Sequence, residues 1–188
     1  MSEGNANSDR ILVERVRAGN QSAFGPLIAP HSARLLTLAA RMLSSSAEAE
    51  EAVQDALASV WIARRRLDPV RAVGPYLTTV TLNKCRDRLR RRKLASLIGI
   101  TPILDGWDLP DMMPDPERAA ISRDALARLR LGIERLPIRL REALVLVAID
   151  GRSLLEAAEL LEISEKAVET RVYRARKQLR EEFAYFEG

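Results

Sequence analysis

The sequence has one cysteine, Cys85, and one histidine, His31, in 188 residues. A single cysteine cannot form an intrachain disulfide, and a histidine without a second ligand at metal-binding spacing predicts no metal site. No stretch approaches the roughly 18 consecutive apolar residues of a membrane span, and residues 1–10 lack the apolar core of a secretory signal. We therefore expect a soluble cytoplasmic protein without membrane insertion, metal or cofactor.

Aromatic residues are scarce at 4%, although hydrophobic residues reach 47%. The core must therefore consist mainly of Leu, Ala, Val and Ile, which favours packed helices over a β-sandwich. Apolar residues recur at helical spacing, and no run alternates convincingly between apolar and polar residues. The sequence predicts an all-α fold.

Start and stop signals predict four helices in the first half of the chain, over about residues 9–18, 21–43, 45–67 and 75–94. Pro26 and Pro30 are expected to break or kink the second helix. The third begins with a capping box formed by Ser45 and Glu48. Pro75 suits the first turn of the fourth.

Residues 98–117 contain four prolines and five acids without helical spacing. They predict a flexible, acidic, Pro-rich linker between an N-terminal helical domain, 1–97, and a C-terminal domain, 118–188. In the C-terminal domain an apolar stripe consists of Leu126, Leu129, Ile133 and Leu136. Pro137 then opens a helix that ends at Gly151 and carries Leu140, Leu144 and Val147.

Charges are segregated along the chain, although the formal net charge is only +4. Residues 47–61 carry four acids and no base, whereas the run RDRLRRRK at 86–93 holds six cations and one acid. Residues 165–180 hold six cations and two acids, a sum of +4. A surface that is merely solvated tends to mix its signs, so these blocks indicate charged partners.

Residues 153–180 form the strongest motif. A capping box, Ser153 and Glu156, opens the helix LLEAAELL, and the turn EIS leads into a long helix over about 164–182. This order is typical of a helix-turn-helix. The long helix turns an apolar stripe toward the core, namely Val168, Val172, Ala175 and Leu179. Its other face offers candidates for base edges or phosphates: Lys166, Glu169, Thr170, Arg171, Arg174, Arg176 and Lys177. An ordinary surface hairpin with a basic face is the alternative.

The other two charge blocks also have simpler explanations. A solvated basic helix would explain residues 86–93, and helix capping would explain the acids at the start of 48–61. Like charges at i,i+4 cost about a few tenths of a kcal/mol per pair, however, and two acids suffice for a cap. The pattern favours an anionic ligand for the basic run and a basic partner for the acidic helix.

Taken together, the motifs resemble RNA polymerase sigma factors of the extracytoplasmic-function (ECF) type. EAEEAVQDALASVW (48–61) is similar to the family's core-polymerase-binding helix, and YLTTVTLNKCRDRLRRRK (76–93) to the helix that holds the melted −10 element. Residues 136–180 are similar to the domain that reads the −35 element. The resemblance extends from about Leu12 to Leu179 with the three motifs in order.

The resemblance implies an alternative sigma factor that binds core RNA polymerase and promoter DNA and directs promoter-specific initiation. Such a protein has no catalytic residues and no small-molecule substrate, and an anti-sigma factor usually controls it. The loop 67–74 falls where the family captures a flipped −10 base. Positions matching the polymerase-binding helix are Glu50, Glu51, Gln54, Asp55 and Trp61. Those matching the −10 helix are Asn83, Arg86, Asp87, Arg90, Arg91, Arg92 and Lys93. The −35 helix carries the seven candidates named above.

Three features depart from the family pattern. Ala52 and Ala56 replace larger apolar residues, which predicts looser packing of the acidic helix. The sequence VRAVG in the capture loop lacks the common aromatic residue. Glu162 occupies a turn position where Gly is common, and a left-handed conformation there would cost about 1 kcal/mol.

Two other classes of protein compete with this interpretation. A stand-alone helix-turn-helix regulator would bind DNA without polymerase, but it leaves the acidic helix and the basic run unexplained. A DNA-processing enzyme such as a recombinase would need clustered acids or a nucleophile with arginines, and the acids here fall on one capped helix and in the linker.

Charge reversal tests the −10 assignment. Changing Arg90, Arg91 and Arg92 to Glu should abolish promoter-dependent transcription, because the anionic ligand would meet repulsion, while polymerase binding stays largely intact. In vitro transcription and co-elution with core polymerase measure the two effects. Transcription that survives the triple change would contradict the assignment.

Overall fold

A computed structural model describes the backbone of residues 3–97 and 116–186, and the side chains of residues 9–97 and 126–182. Helices connected by short turns and loops make up these ranges, and no strand occurs there, which confirms the all-α prediction. The helices are α1 (Glu3–Arg17), α2 (Phe24–Leu43), α3 (Ser46–Ile62), α4 (Val73–Leu97), α5 (Pro116–Arg135), α6 (Ile138–Leu144), α7 (Leu154–Leu161) and α8 (Glu165–Phe186). Short 3₁₀ segments cover Gln21–Ala23 and Arg64–Arg66, and a π-helical segment covers Val145–Ile149.

The chain forms two compact units. The first contains α1, most of α2, α3 and α4, and the second contains α5 to α8 together with Arg41–Ser46. The predicted domain limits at 97 and 118 remain predictions, because residues 98–115 of the proposed linker lie outside the described residues. Within the described part, α5 begins two residues earlier than the predicted C-terminal domain, at Pro116.

The two prolines of α2 do not break it, so the predicted break is wrong. Pro26 lies in the first turn, where a backbone N–H has no intrahelical partner to lose. Pro30 lies inside the helix, which nevertheless continues to Leu43. Burial of its apolar face outweighs the missing hydrogen bond, since Leu27, Leu35, Leu38 and Ala39 are all buried.

Two other helix limits differ from the predictions. The first helix begins at Glu3 instead of about residue 9. The third ends at Ile62, well before Asp68, because the chain tightens into the 3₁₀ segment Arg64–Arg66. Pro75 does lie in the first turn of α4, as predicted.

The second unit is organised around an apolar cluster. Its buried members are Ile133, Leu136, Leu144, Ala175 and Leu179, and Leu140 packs against them. Leu126 and Leu129 of the predicted stripe are instead exposed, because α5 contributes to this cluster through its C-terminal half. Gly132 permits that approach: a Cβ at this position would lie 2.8 Å from Leu179 Cδ2.

The π-helical segment changes which residues of the next stretch are buried. Asp150 N donates to Val145 O at 2.8 Å, a bond that spans five residues. The wider turn rotates the side chains that follow, so Val145 and Leu146 are buried while the predicted Val147 is only half-buried. Gly151, with a φ of 69°, then ends the segment as predicted.

The helix-turn-helix forms as the sequence predicts. The side-chain oxygen of Ser153 accepts from Glu156 N, and the Glu156 carboxylate accepts from Ser153 N, which completes the capping box of α7. Glu162 adopts the left-handed conformation at φ 55° and ψ 46°. At the start of α8, Ala167 N donates to Ser164 Oγ at 3.2 Å.

The capping box makes a pH-dependent prediction. The hydrogen bond from Ser153 N, followed by that from its hydroxyl and the charge of Arg152, lowers the pKa of Glu156. A lowered pKa stabilises the fold above the unfolded-state value of 4.5, and this contribution disappears as the pH falls through the folded-state pKa. Glu156→Gln should therefore lower the urea midpoint at neutral pH, and its difference from wild type should shrink at an acidic pH below 4.5.

Glu159→Gln is the matched control, since Glu159 is exposed on the same helix. Equal losses for Glu156→Gln at both pH values would show that the charge of the carboxylate does not stabilise the cap.

Candidate nucleic-acid and partner interfaces

Four of the predicted polymerase-binding residues lie together on one face of α3. Glu50, Glu51, Gln54 and Asp55 are exposed, and their spacing places them on adjacent turns. The opposite face is buried and consists of Ala49, Ala52, Val53, Ala56 and Val60. Burial of this small-residue face orients the acids toward solvent.

Trp61, the fifth predicted polymerase contact, has packing partners within its own unit. Its ring centroid lies 5.4 Å from that of Phe24, and the guanidinium carbon of Arg64 lies 4.8 Å above the indole. Arg64 Nη1 also donates to Trp61 O at 3.2 Å. The side chain is half-buried, so only part of the ring is available to a partner. No role was predicted for Arg64, although the run RRR at 64–66 places cations shortly after Trp61 in the sequence.

The predicted −10 residues of α4 differ in exposure. Asn83, Asp87, Arg90, Arg91 and Lys93 are exposed, whereas Arg86 and Arg92 are half-buried. Two contacts within α4 hold several of these side chains in place. Arg86 Nη1 donates to Asn83 Oδ1 at 2.6 Å, and Arg90 Nη1 lies 3.7 Å from Asp87 Oδ1. These contacts follow helical spacing and keep the polar side chains along one side.

Two arginines of the basic run reach the acids of α3. Arg88 donates from Nη1 to Glu51 Oε2 at 2.8 Å and from Nη2 to Asp55 Oδ2 at 2.7 Å. Arg92 places Nη2 2.6 Å from Glu48 Oε2, and its Nε donates to Glu48 Oε1 at 3.1 Å. The sequence had assigned no role to Arg88 and had placed Arg92 among the DNA contacts.

The electrostatics of this contact favour a permanent charge on Arg88. Partial burial alone would lower its pKa, but the hydrogen bonds and charges of Glu51 and Asp55 outweigh burial and raise it. The two carboxylates therefore stabilise the charged form of the guanidinium, which an arginine already carries at ordinary pH.

The predicted base-capture loop, 67–74, is anchored at both ends. Leu67 and Val73 are buried, and between them Val70 is 86% exposed. Val70 N donates to Asp68 Oδ1 at 3.0 Å, which fixes the turn. The ring of His31 covers Gly74 closely, since a Cβ there would lie 3.1 Å from His31 Cε1. The loop thus exposes the aliphatic side chain of Val70 between two anchored ends.

Helix α8 separates its two faces as predicted. Val168, Val172, Ala175 and Leu179 are buried. Of the seven predicted −35 residues on the other side, two are half-buried, namely Thr170 and Arg171. The other five are exposed: Lys166, Glu169, Arg174, Arg176 and Lys177. Lys166 Nζ lies 2.7 Å from Glu169 Oε2, so the first turn displays an ion pair rather than an isolated cation.

Features of other protein classes are missing from the described ranges. Residues 3–97 and 116–186 contain no helix long and apolar enough to cross a membrane. Among the side chains of residues 9–97 and 126–182, no group of three or more His, Cys, Asp or Glu could hold a metal ion.

Comparisons with known proteins agree with this arrangement. Residues 27–94 match the family model for Sigma-70 region 2, and residues 126–179 match that for Sigma-70 region 4. The RNA polymerase sigma factor CnrH of Cupriavidus metallidurans is 36% identical, over 92% of this chain and 93% of that protein. The ECF sigma factor SigM of Mycobacterium tuberculosis is 33% identical, over 92% of this chain and 83% of that protein.

A solved structure shares both sequence and fold with the chain. CnrH in complex with the cytosolic domain of CnrY has a TM-score of 0.67 and 32% identity, and the match covers 95% of this chain and 98% of that one. The fold and the two matched regions thus define a transcription-initiation factor made of two helical units. The chain belongs to the RNA polymerase sigma factors of the ECF type.

The packing of Trp61 can be tested by truncation. Trp61→Ala should lower the free energy of unfolding by about 2 kcal/mol, less than for a fully buried aromatic residue, because the ring is only half-buried. Urea denaturation measures the loss. Ile62→Ala is the control. The side chain of Ile62, the next residue, is 78% exposed, so its removal should have little effect. Equal losses for the two variants would contradict the packing role.

Proposed function

We propose that this chain docks on core RNA polymerase through α3, holds the melted −10 element along α4 and reads the −35 element with α8. One observation supports this proposal most directly. Most of the acidic and basic side chains of these blocks lie on outward faces of separate helices, each opposite a buried aliphatic face. Membership of the sigma family gives those faces their partners.

Docking on polymerase uses the exposed acids. Glu50, Glu51, Gln54 and Asp55 form a surface that complements a basic partner, and the exposed edge of Trp61 adds apolar area. The chain supplies no catalytic residue in this scheme, since polymerisation belongs to its partner. It acts in the cytoplasm, where polymerase and promoter DNA are found.

Promoter binding is divided between the two units. Asn83, Arg86 and Asp87 are proposed to contact −10 bases, with the exposed cations Arg90, Arg91 and Lys93 contacting phosphates. Loop 67–74 is proposed to offset the unstacking cost of a flipped base by enclosing it beside Val70. The N-terminal turns of α8 would enter the major groove of the −35 duplex, with Lys166, Glu169 and Thr170 foremost.

An anti-sigma factor is proposed as a further partner. CnrH, the relative described above, was solved with the cytosolic domain of CnrY. A protein of the same kind would prevent transcription by covering the polymerase-binding or DNA-binding faces of this chain.

Co-elution with core RNA polymerase tests the docking surface. Wild type should form a stable complex at moderate salt, and Glu50→Lys with Gln54→Lys should weaken it at least about tenfold through repulsion at the interface. This pair is preferable to Glu51 and Asp55, which also hold Arg88. Glu159→Lys, an exposed reversal on α7, is the control and should bind normally.

The opposite result would favour another function. Absence of any complex, combined with specific DNA binding by the free chain, would overturn the proposal in favour of a stand-alone helix-turn-helix regulator. A complex that the double reversal leaves intact would exclude this face of α3 as the docking surface.

A further inference from the structure

The acids of α3 and the cations of α4 meet in two successive ion-pair groups. Glu51 and Asp55 share Arg88, and Glu48 pairs with Arg92 one turn further along α4. Glu48 comes before Glu51 and Asp55 in α3, but its partner Arg92 comes after Arg88 in α4. The two helices therefore run antiparallel where they are in contact. Because the two arginines are one turn apart, about 6 Å, a slide of either helix by one turn would leave at most one of the two groups paired.

These two arginines differ from the rest of the basic run in exposure. Their side chains are 22% and 15% exposed, compared with 69% for Arg90. Arg91 and Lys93 are likewise exposed. The run therefore divides into cations that face α3 and cations that face solvent.

We propose that Arg88 and Arg92 are positioning residues that fix the −10 helix against the polymerase-binding helix, and that they do not contact promoter phosphates. The proposal rests on the function proposed above and assigns separate roles within one basic run. Arg90, Arg91 and Lys93 are left as the phosphate-facing cations.

The geometry at Arg88 requires an arginine. Its two terminal nitrogens each serve a different carboxylate, at 2.8 and 2.7 Å. A lysine carries the same charge but is a single point donor on a flexible stem, so it cannot hold both acids in the same fixed fork. Arg88→Lys thus separates the effect of geometry from that of charge.

The same contact links docking to DNA binding. Glu51 and Asp55 remain 65% and 58% exposed while each gives one oxygen to Arg88. Their outer oxygens stay available to a basic partner. A polymerase that engages these carboxylates therefore engages the groups that set the register of α4.

The salt dependence of promoter binding distinguishes a positioning residue from a phosphate contact. Each phosphate contact adds about one to the slope of log K against log salt concentration, whereas a positioning residue adds nothing. We would measure promoter affinity of the holoenzyme across a salt series for Arg88→Lys, Arg92→Ala and the control Arg91→Ala. Arg91→Ala should reduce the slope by about one. The other two should leave the slope unchanged and lower affinity about two- to fivefold at every salt concentration.

Exchanging the charges of Arg92 and Glu48 provides a second test of the proposal. Arg92→Glu should impair promoter binding, and adding Glu48→Arg should restore most of it, because the pair re-forms in the opposite sense. In the free chain the same swap should return the urea midpoint toward wild type. A phosphate contact could not be rescued in this way, since the DNA would still face a glutamate.

The outcomes separate the two hypotheses. A slope that falls for Arg88→Lys or Arg92→Ala as it does for Arg91→Ala, or a swap that restores neither binding nor midpoint, overturns the positioning role. Failure of wild type itself to form holoenzyme overturns the proposed function instead. In that case the urea midpoints of the swap decide whether Arg92 and Glu48 hold the helices together.

Discussion

Burial of an aliphatic stripe on each helix is the constraint on which every charged surface of this protein depends. In α8 the stripe of Val168, Val172, Ala175 and Leu179 is buried. Burying a Val or Leu side chain contributes about 1.5–3 kcal/mol, far more than an exposed ion pair. The rotation of the helix is therefore set by its apolar residues, and the basic residues face outward as a consequence. The small residues of α3 orient its acids in the same way.

Polar contacts fix the position of one helix along another, which hydrophobic burial alone does not determine. An aliphatic stripe fixes which side of a helix is buried, but it tolerates small slides along the helix axis. The fork of Arg88 and the pair of Arg92 with Glu48 resist such slides, because charged hydrogen bonds are short and directional. Arg141 acts similarly in the second unit, where its buried guanidinium donates to Glu134 O and Leu136 O at the end of α5.

In the described part of the chain, two residues other than glycine have a positive φ, Ser44 and Glu162, and the second lies in the helix-turn-helix. Glu162 holds a left-handed conformation without being glycine, at a cost of about 1 kcal/mol. The capping box of α7 and the N-cap of Ser164 on α8 satisfy the backbone groups on both sides of that turn. The angle between α7 and α8 places the recognition helix, so a well-capped turn supports its function even with an unfavourable residue at its centre.

The sequence by itself determined the helical class, the helix-turn-helix and the face that α8 turns outward, because periodicity and caps depend on residues close in the chain. It also predicted the face of α3 on which Glu50, Glu51, Gln54 and Asp55 are exposed. Only the tertiary structure decided which cations of the basic run face α3, since Arg88 and Arg92 meet acids more than 30 residues away. The same holds for the continuity of α2 through Pro30, the π-helical shift before Gly151 and the exposure of Leu126. In each case long-range packing outweighed a local preference, and a local pattern carries no information about the distant partner.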